Sequence, residues 1–120
     1  MMDDWIYGIY YAVANKIDQG TAISLNRKDM HAVVSNRDVA RVTRWRWHTN
    51  YSAGADRLSG KKPYVRATVW GKKIYLQNFI AGKKGGYHVD HFNRNTLDNR
   101  RCNLRVIRAD KNMKRKKVRC

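Results

Sequence analysis

Asp90 and His91 are adjacent, at the end of Tyr87-His88-Val89, a run that reads as a β-strand. Asparagines follow at Asn93, Asn95, Asn99, Asn103 and Asn112. A hard divalent cation takes oxygen ligands, and Asp90 with an Asn carbonyl could supply two of them. A neutral imidazole beside them can accept a proton from water. One metal, one base and many Arg and Lys side chains suffice for phosphodiester hydrolysis. Each residue alone has a plainer reading. Asp90 could pair with a nearby arginine, a lone strand histidine is usually structural, and Asn112 could be a solvated helix residue. It is their combination that points to chemistry. His88 reads as a packing or contact residue, and His31 and His48 as structural, since neither has ligand partners nearby.

The stretch Val89-Asp90-His91-Phe92-Asn93-Arg94-Asn95-Thr96-Leu97-Asp98-Asn99-Arg100-Arg101-Cys102-Asn103-Leu104-Arg105, continued by Ala109-Asp110-Lys111-Asn112, resembles the active-site signature of small phage and intron-type HNH endonucleases. That signature runs Asp-His, a loop rich in Asn and Gly, Asp-Asn-Arg, Asn-Leu, and a last Asn or His on a helix. The resemblance is strong over residues 85–115 and weaker through Gly71-Lys72-Lys73-Ile74-Tyr75-Leu76 and the Trp-rich region. It implies a ββα-metal unit, with a strand ending at Asp90 and His91, a second strand from about Asn103, and a helix from about Asp110. It assigns His91 and Asn103 to the catalytic set. His91 would be the general base, and Asn103 the middle Asn that pins loop and strand through side-chain to backbone hydrogen bonds, with Asn99 as structural support. Asp90 and Asn112 would hold one divalent cation, Mg²⁺ or Mn²⁺. Arg94, Arg100, Arg101, Arg105 and Lys111 would contact DNA. The cation and Arg100, Arg101 and Arg105 would lower the His91 pKa.

Two positions depart from the family pattern. Leu76-Gln77-Asn78 stands where relatives often have Leu-His-Arg. Asn93-Arg94-Asn95 stands where they often have Gly, so this backbone must avoid or tolerate positive φ on Asn. A further tension is geometric: adjacent strand residues point to opposite faces, yet Asp90 and His91 must serve one site. The strand is therefore expected to bend or end there.

The elements that must position this window lie mostly before it. Tyr7 to Val13 reads as a strand, and Thr21 to Leu25 can return as its partner after the turn at Asp18-Gln19-Gly20. His31 to Val34 is a short apolar run. Ser35 or Asn36 can cap a helix through Arg44, with Asp38 in its first turn and Val39 and Val42 facing the core. Arg44-Trp45-Arg46-Trp47-His48 alternates as a strand would. Its basic face, Arg44 and Arg46, is either simply solvated or meets phosphate. Ser52 to Lys62 reads as a loop. Tyr64 to Trp70 alternates again, Gly71-Lys72-Lys73 turns the chain, and Ile74-Tyr75-Leu76 completes a hairpin before a short helical turn at Asn78 to Ala81. The expectation is an α+β protein: residues 1–84 form a small antiparallel β-sheet with one helix that holds DNA, and residues 85–120 form the C-terminal ββα-metal unit with a basic tail.

Charge supports a polyanionic partner. The chain has 120 residues and carries 26 Lys+Arg against 9 Asp+Glu, all nine of them Asp, for a formal net charge of +17. Residues 85–120 hold 11 basic and 3 acidic residues, about double the density of net charge before them. Such a charge repels itself, and nucleic acid is the partner that best relieves it. The run Lys114, Arg115, Lys116 and Lys117 is read as phosphate-contacting, against a plain solvated charge run. No apolar run is long enough to span a membrane, and no long amphipathic basic helix favours a membrane surface. Met1-Met2-Asp3-Asp4 is acidic where a signal peptide is basic, and two cysteines cannot build a disulfide framework or a closed zinc site. The reading is a cytoplasmic DNA endonuclease of a phage-infected or bacterial cell, monomer or homodimer, acting on double-stranded DNA without structural zinc. The alternative is a non-catalytic nucleic-acid-binding protein on the same scaffold.

Overall fold

The computed structural model describes residues 19–52 and 54–110. The Tyr7 to Val13 strand, the helix carrying Asn112, and Lys111, Lys114, Arg115, Lys116 and Lys117 lie outside them. Within them the chain is α+β, with short strands in small sheets and one-turn helices. No helix among the described residues is long and apolar enough to cross a membrane.

The first sheet contains β1 (Thr21–Ser24), β2 (His31–Val34) and β6 (Asp98–Asn99), in the order β1-β2-β6. The partner of β1 among the described strands is β2, antiparallel from Thr21↔Val34 to Ser24↔His31. Alternation explains the pairing, since Ile23, Ala32 and Val34 all turn inward and are buried. On its other side β2 meets β6 in parallel, with Val33↔Asp98 and Val34↔Asn99 in register. A two-residue strand of Asp and Asn carries no hydrophobic alternation, so this pairing has no signal in local sequence.

The helix expected from Ser35 or Asn36 to Arg44 is instead a 3-10 turn at Asn36–Asp38 followed by α1 (Val39–Val42). Ser35 makes no side-chain cap bond. Its hydroxyl accepts a hydrogen bond from the Arg101 backbone N–H at 2.9 Å. Tertiary partners have taken over the groups that a longer helix would have used for capping. Val42 is fully buried and Val39 packs beside it, as their spacing predicts.

Trp45 to His48 forms no regular strand and is tied by a single bridge, His48↔Arg66. Burial still follows the expected alternation: Trp47 is buried and Trp45 half-buried, while Arg44 and Arg46 are exposed. Trp47 Nε1 donates to the Val42 carbonyl at 2.8 Å, which satisfies the indole in the core. The stretch read as a loop contains α2 (Ala55–Ser59), closed by Gly60 at φ 78°.

The next hairpin is β3 (Arg66–Val69) and β4 (Lys72–Tyr75). Its turn is Trp70-Gly71, not Gly71-Lys72-Lys73, because Val69 pairs with Lys72. Both turn residues have positive φ, 50° and 78°, the mark of a two-residue type I′ turn whose twist matches the strands. Leu76 opens α3 (Leu76–Ala81) and does not extend the strand.

The last hairpin is β5 (Tyr87–His91) with β7 (Leu104–Arg108), antiparallel and in register from Tyr87↔Arg108 to His91↔Leu104. Helix α3 touches β5, β6 and β7. The core joins all these parts: Ile23, Ala32, Val34, Val42, Trp47, Val65, Ala67, Leu76, Ile80 and Leu104 form one cluster.

Candidate functional site

Strand β5 runs through both adjacent candidates and ends at His91, so it neither bends nor ends between them as expected. His91 lies opposite Leu104 and Asp90 opposite Arg105. Strand alternation sends the two side chains to opposite faces. His91 goes inward and is only 4% exposed. Asp90 accepts a hydrogen bond from Arg105 Nη2 at 2.9 Å, and its side chain is 23% exposed. Arg105 in turn lies over the Phe92 ring, 5.2 Å from its centroid.

The loop after β5 is built from asparagine amides. Asn103, fully buried, accepts from the Asn93 backbone N–H at 3.0 Å. Its amide donates to Asn93 Oδ1 at 2.9 Å and to the Asp98 carbonyl at 2.7 Å. Its backbone carbonyl takes the Phe92 N–H at 2.9 Å. One side chain thus ties both ends of the loop to the start of β7. Asn93 Oδ1 also accepts from the Asn95 N–H, and Asn95 Oδ1 from the Leu97 N–H, two successive Asx turns. The left-handed residue here is Arg94, at φ 64°, and not an asparagine. The Asx turns on either side hold the strained position in place.

Asn99, also fully buried, holds the histidine. Its Nδ2 donates to the Thr96 carbonyl at 3.2 Å, which fixes which way the amide faces. Its Oδ1 therefore faces His91 Nε2, 2.9 Å away. An amide oxygen only accepts, so Nε2 carries the proton and the neutral ring keeps its lone pair on Nδ1. Thr96 is itself moored by its hydroxyl to the Pro63 carbonyl at 3.0 Å.

Burial lowers the His91 pKa below its ordinary value of 6.5. The Asn99 hydrogen bond and the carboxylates of Asp90 and Asp98 oppose the shift, and Lys62 adds to it. The direction agrees with the sequence expectation, but Arg100, Arg101 and Arg105 are not among its causes. The arginines expected to repel the imidazolium are each held by an aspartate. Arg100 grips Asp98 through Nε and Nη2 at 2.7 and 2.6 Å. Arg101 grips Asp38 at 2.8 and 2.7 Å, and Arg105 holds Asp90. Burial acting alone would raise Asp98, yet Arg100, with help from Asn93, keeps its carboxyl below the usual value of 3.8.

The three arginines expected at phosphate therefore act first as internal struts. Arg100 clips the loop on itself, Arg101 bolts it to the 3-10 turn 63 residues earlier, and Arg105 crosses the last hairpin. Arg44, Arg46 and Arg94 are exposed. Sequence reasoning named Asp38 only as a first-turn residue and Asn93 only among the loop asparagines, and gave no role to Thr96, Asp98 or Lys62. Asp98 was findable, since Asp and Arg two residues apart can chelate locally. Asp38, 63 residues from Arg101, was not.

A metal tests the donor set more severely. Among the described residues no group of three or more His, Cys, Asp and Glu could hold a metal ion. Asp90 is one carboxylate, next to His91 in the chain but on the other face of β5. Mg²⁺ is commonly held by one or two carboxylates with water and phosphate completing its shell, so Asp90 meets that minimum, and Arg105 competes for its oxygen.

No family model, no curated protein and no solved structure matches the chain.

Proposed function

We propose that the protein is a divalent-metal-dependent DNA endonuclease of the HNH class, with His91 as general base. The observation that carries the reading is the His91 Nε2–Asn99 Oδ1 contact of 2.9 Å, which defines the tautomer and leaves Nδ1 to accept a proton. Burial keeps the ring neutral near pH 7, the form that a base needs. Asn103 is a positioning residue that fixes the loop bearing Asn99. Asp90, with Asn112, would hold the cation, which when bound would stabilise charge on the scissile phosphate and leaving oxygen. Proton transfer from the attacking water to Nδ1 leaves an imidazolium that the Asp90 and Asp98 carboxylates favour.

The second reading, a non-catalytic nucleic-acid-binding protein, draws on the Asp90–Arg105 pair and on the depth of His91. Relaxation of supercoiled plasmid by the full chain separates the two. Nicking with Mg²⁺ or Mn²⁺, lost in EDTA and in His91→Ala, is the expected result. Binding without nicking under either metal would leave only the second reading.

A further inference from the structure

Trp70 is at an unexpected place. It forms the tip of the β3–β4 hairpin, in a type I′ turn at φ 50°, and it is 86% exposed. A bulky side chain there costs strain, and Asn or Gly would suit the turn better. Leaving an indole in water forgoes its burial as well. Its ring meets that of Trp45 edge to face, with centroids 5.3 Å apart. Arg44 and Arg46 flank Trp45 in the chain, Lys72 and Lys73 follow the turn, and all four are exposed. An exposed aromatic tip with exposed cations beside it along the chain, in a protein of net charge +17, is complementary to stacked bases between phosphates.

We propose that the Trp70 hairpin tip is a DNA-engaging element, whose indole stacks on a base of duplex DNA while Arg44, Arg46, Lys72 and Lys73 hold the flanking phosphates. This rests on the nucleic-acid reading above and adds a contact separate from the candidate active site. A two-stranded ribbon is narrow enough to enter the major groove, and a two-residue turn places the indole at its leading end. Trp45, half-buried beneath it, braces the ring.

Trp70→Asn separates folding from binding, because Asn-Gly is a preferred type I′ pair. The variant should unfold at the same or a higher temperature than the wild type. It should bind a short fluorescent duplex about 5- to 150-fold more weakly, the range for loss of one stacked base. A duplex carrying 2-aminopurine should change its emission on binding wild-type protein and not on binding the variant, as the indole replaces a base as its stacking neighbour. Affinity within twofold of wild type, or no change of emission with wild type, would overturn the proposal. Tighter, Trp70-dependent binding to RNA would overturn the choice of duplex DNA. Wild-type nicking with Trp70-independent binding defeats this inference alone, whereas absence of both nicking and binding defeats the nuclease reading too.

Discussion

At His91 two opposing effects meet on one ring. Burial disfavours the imidazolium, while Asn99 and two carboxylates favour it, and burial prevails. Because the folded pKa lies below the unfolded value near 6.5, the unfolded chain binds a proton that the folded chain does not over the interval between them. The stability contributed by neutral His91 is therefore complete above that value and declines as pH falls beneath it. Urea unfolding at about pH 7.5 and about pH 5.5 should show this loss, and His91→Gln should show less of it. Cleavage should follow the same ionisation, rising with pH below about 6.5 and level through neutrality. Single-turnover rates that fall as pH rises from about 6 to 8 would instead require an acidic His91. His91→Ala should slow cleavage by about 10²- to 10⁴-fold while duplex affinity stays close to wild type. Asn99→Ala removes the acceptor for Nε2–H and leaves a buried donor unmet, at a cost of about 1–3 kcal/mol. Chemical denaturation and the cleavage rate should both register it.

Among the elements, the loop between β5 and β7 is built on bonds within itself and joined to the rest of the fold by a few long-range contacts. Gly20 marks one such closure. It has φ 73°, and a Cβ there would lie 2.7 Å from Val33 Cγ1 and from the Val34 carbonyl oxygen. That oxygen belongs to the β2 backbone and cannot swing away. Gly20→Ala should therefore cost about 2 kcal/mol or more, combining left-handed strain with overpacking, and thermal unfolding would measure it. The same contrast governs what could be read from sequence. β1, β3 and β5 are legible in local strand signals and β7 through the resemblance, and the burial of Trp47 and Val42 follows from spacing. The role of Asn103 was legible through resemblance, since its bonds stay within the loop. The parallel β2–β6 pairing and the Arg101–Asp38 bolt were not, because each joins segments more than 60 residues apart. The helix that the capping residues after Ser35 predict is cut short because Arg101 recruits Ser35 and Asp38. Trp70 was assigned to a strand when it is the turn itself, for its bulk argues against the positive φ that it adopts.

For the whole molecule, the division of labour among cations decides how it would meet DNA. Arg100, Arg101 and Arg105 each hold an aspartate, so they stabilise the fold before they attract phosphate. Arg44, Arg46, Arg94, Lys72 and Lys73 are exposed and free of that duty among the ion pairs described. If about five to seven such groups neutralise phosphates, counterion release gives log K a slope of about −4 to −6 against log salt on duplex DNA. The double variant Arg44→Ala, Arg46→Ala should make that slope shallower by about 1 to 2, with affinity lost across all sequences. Arg101→Ala should behave oppositely. Asp38 is 2% exposed and would lose its bidentate partner, although Arg41 stands 3.9 Å away. With Arg101 itself 39% exposed, the cost should be about 1–3 kcal/mol of stability with the salt slope unchanged. Binding isotherms over a range of salt, paired with unfolding curves for the same proteins, test both halves together. A wild-type slope shallower than about −2 would remove the duplex-binding face. A loss of slope in Arg101→Ala equal to that of the Arg44, Arg46 variant would mean that Arg101 leaves Asp38 for phosphate when DNA arrives, and that the strut is a switch.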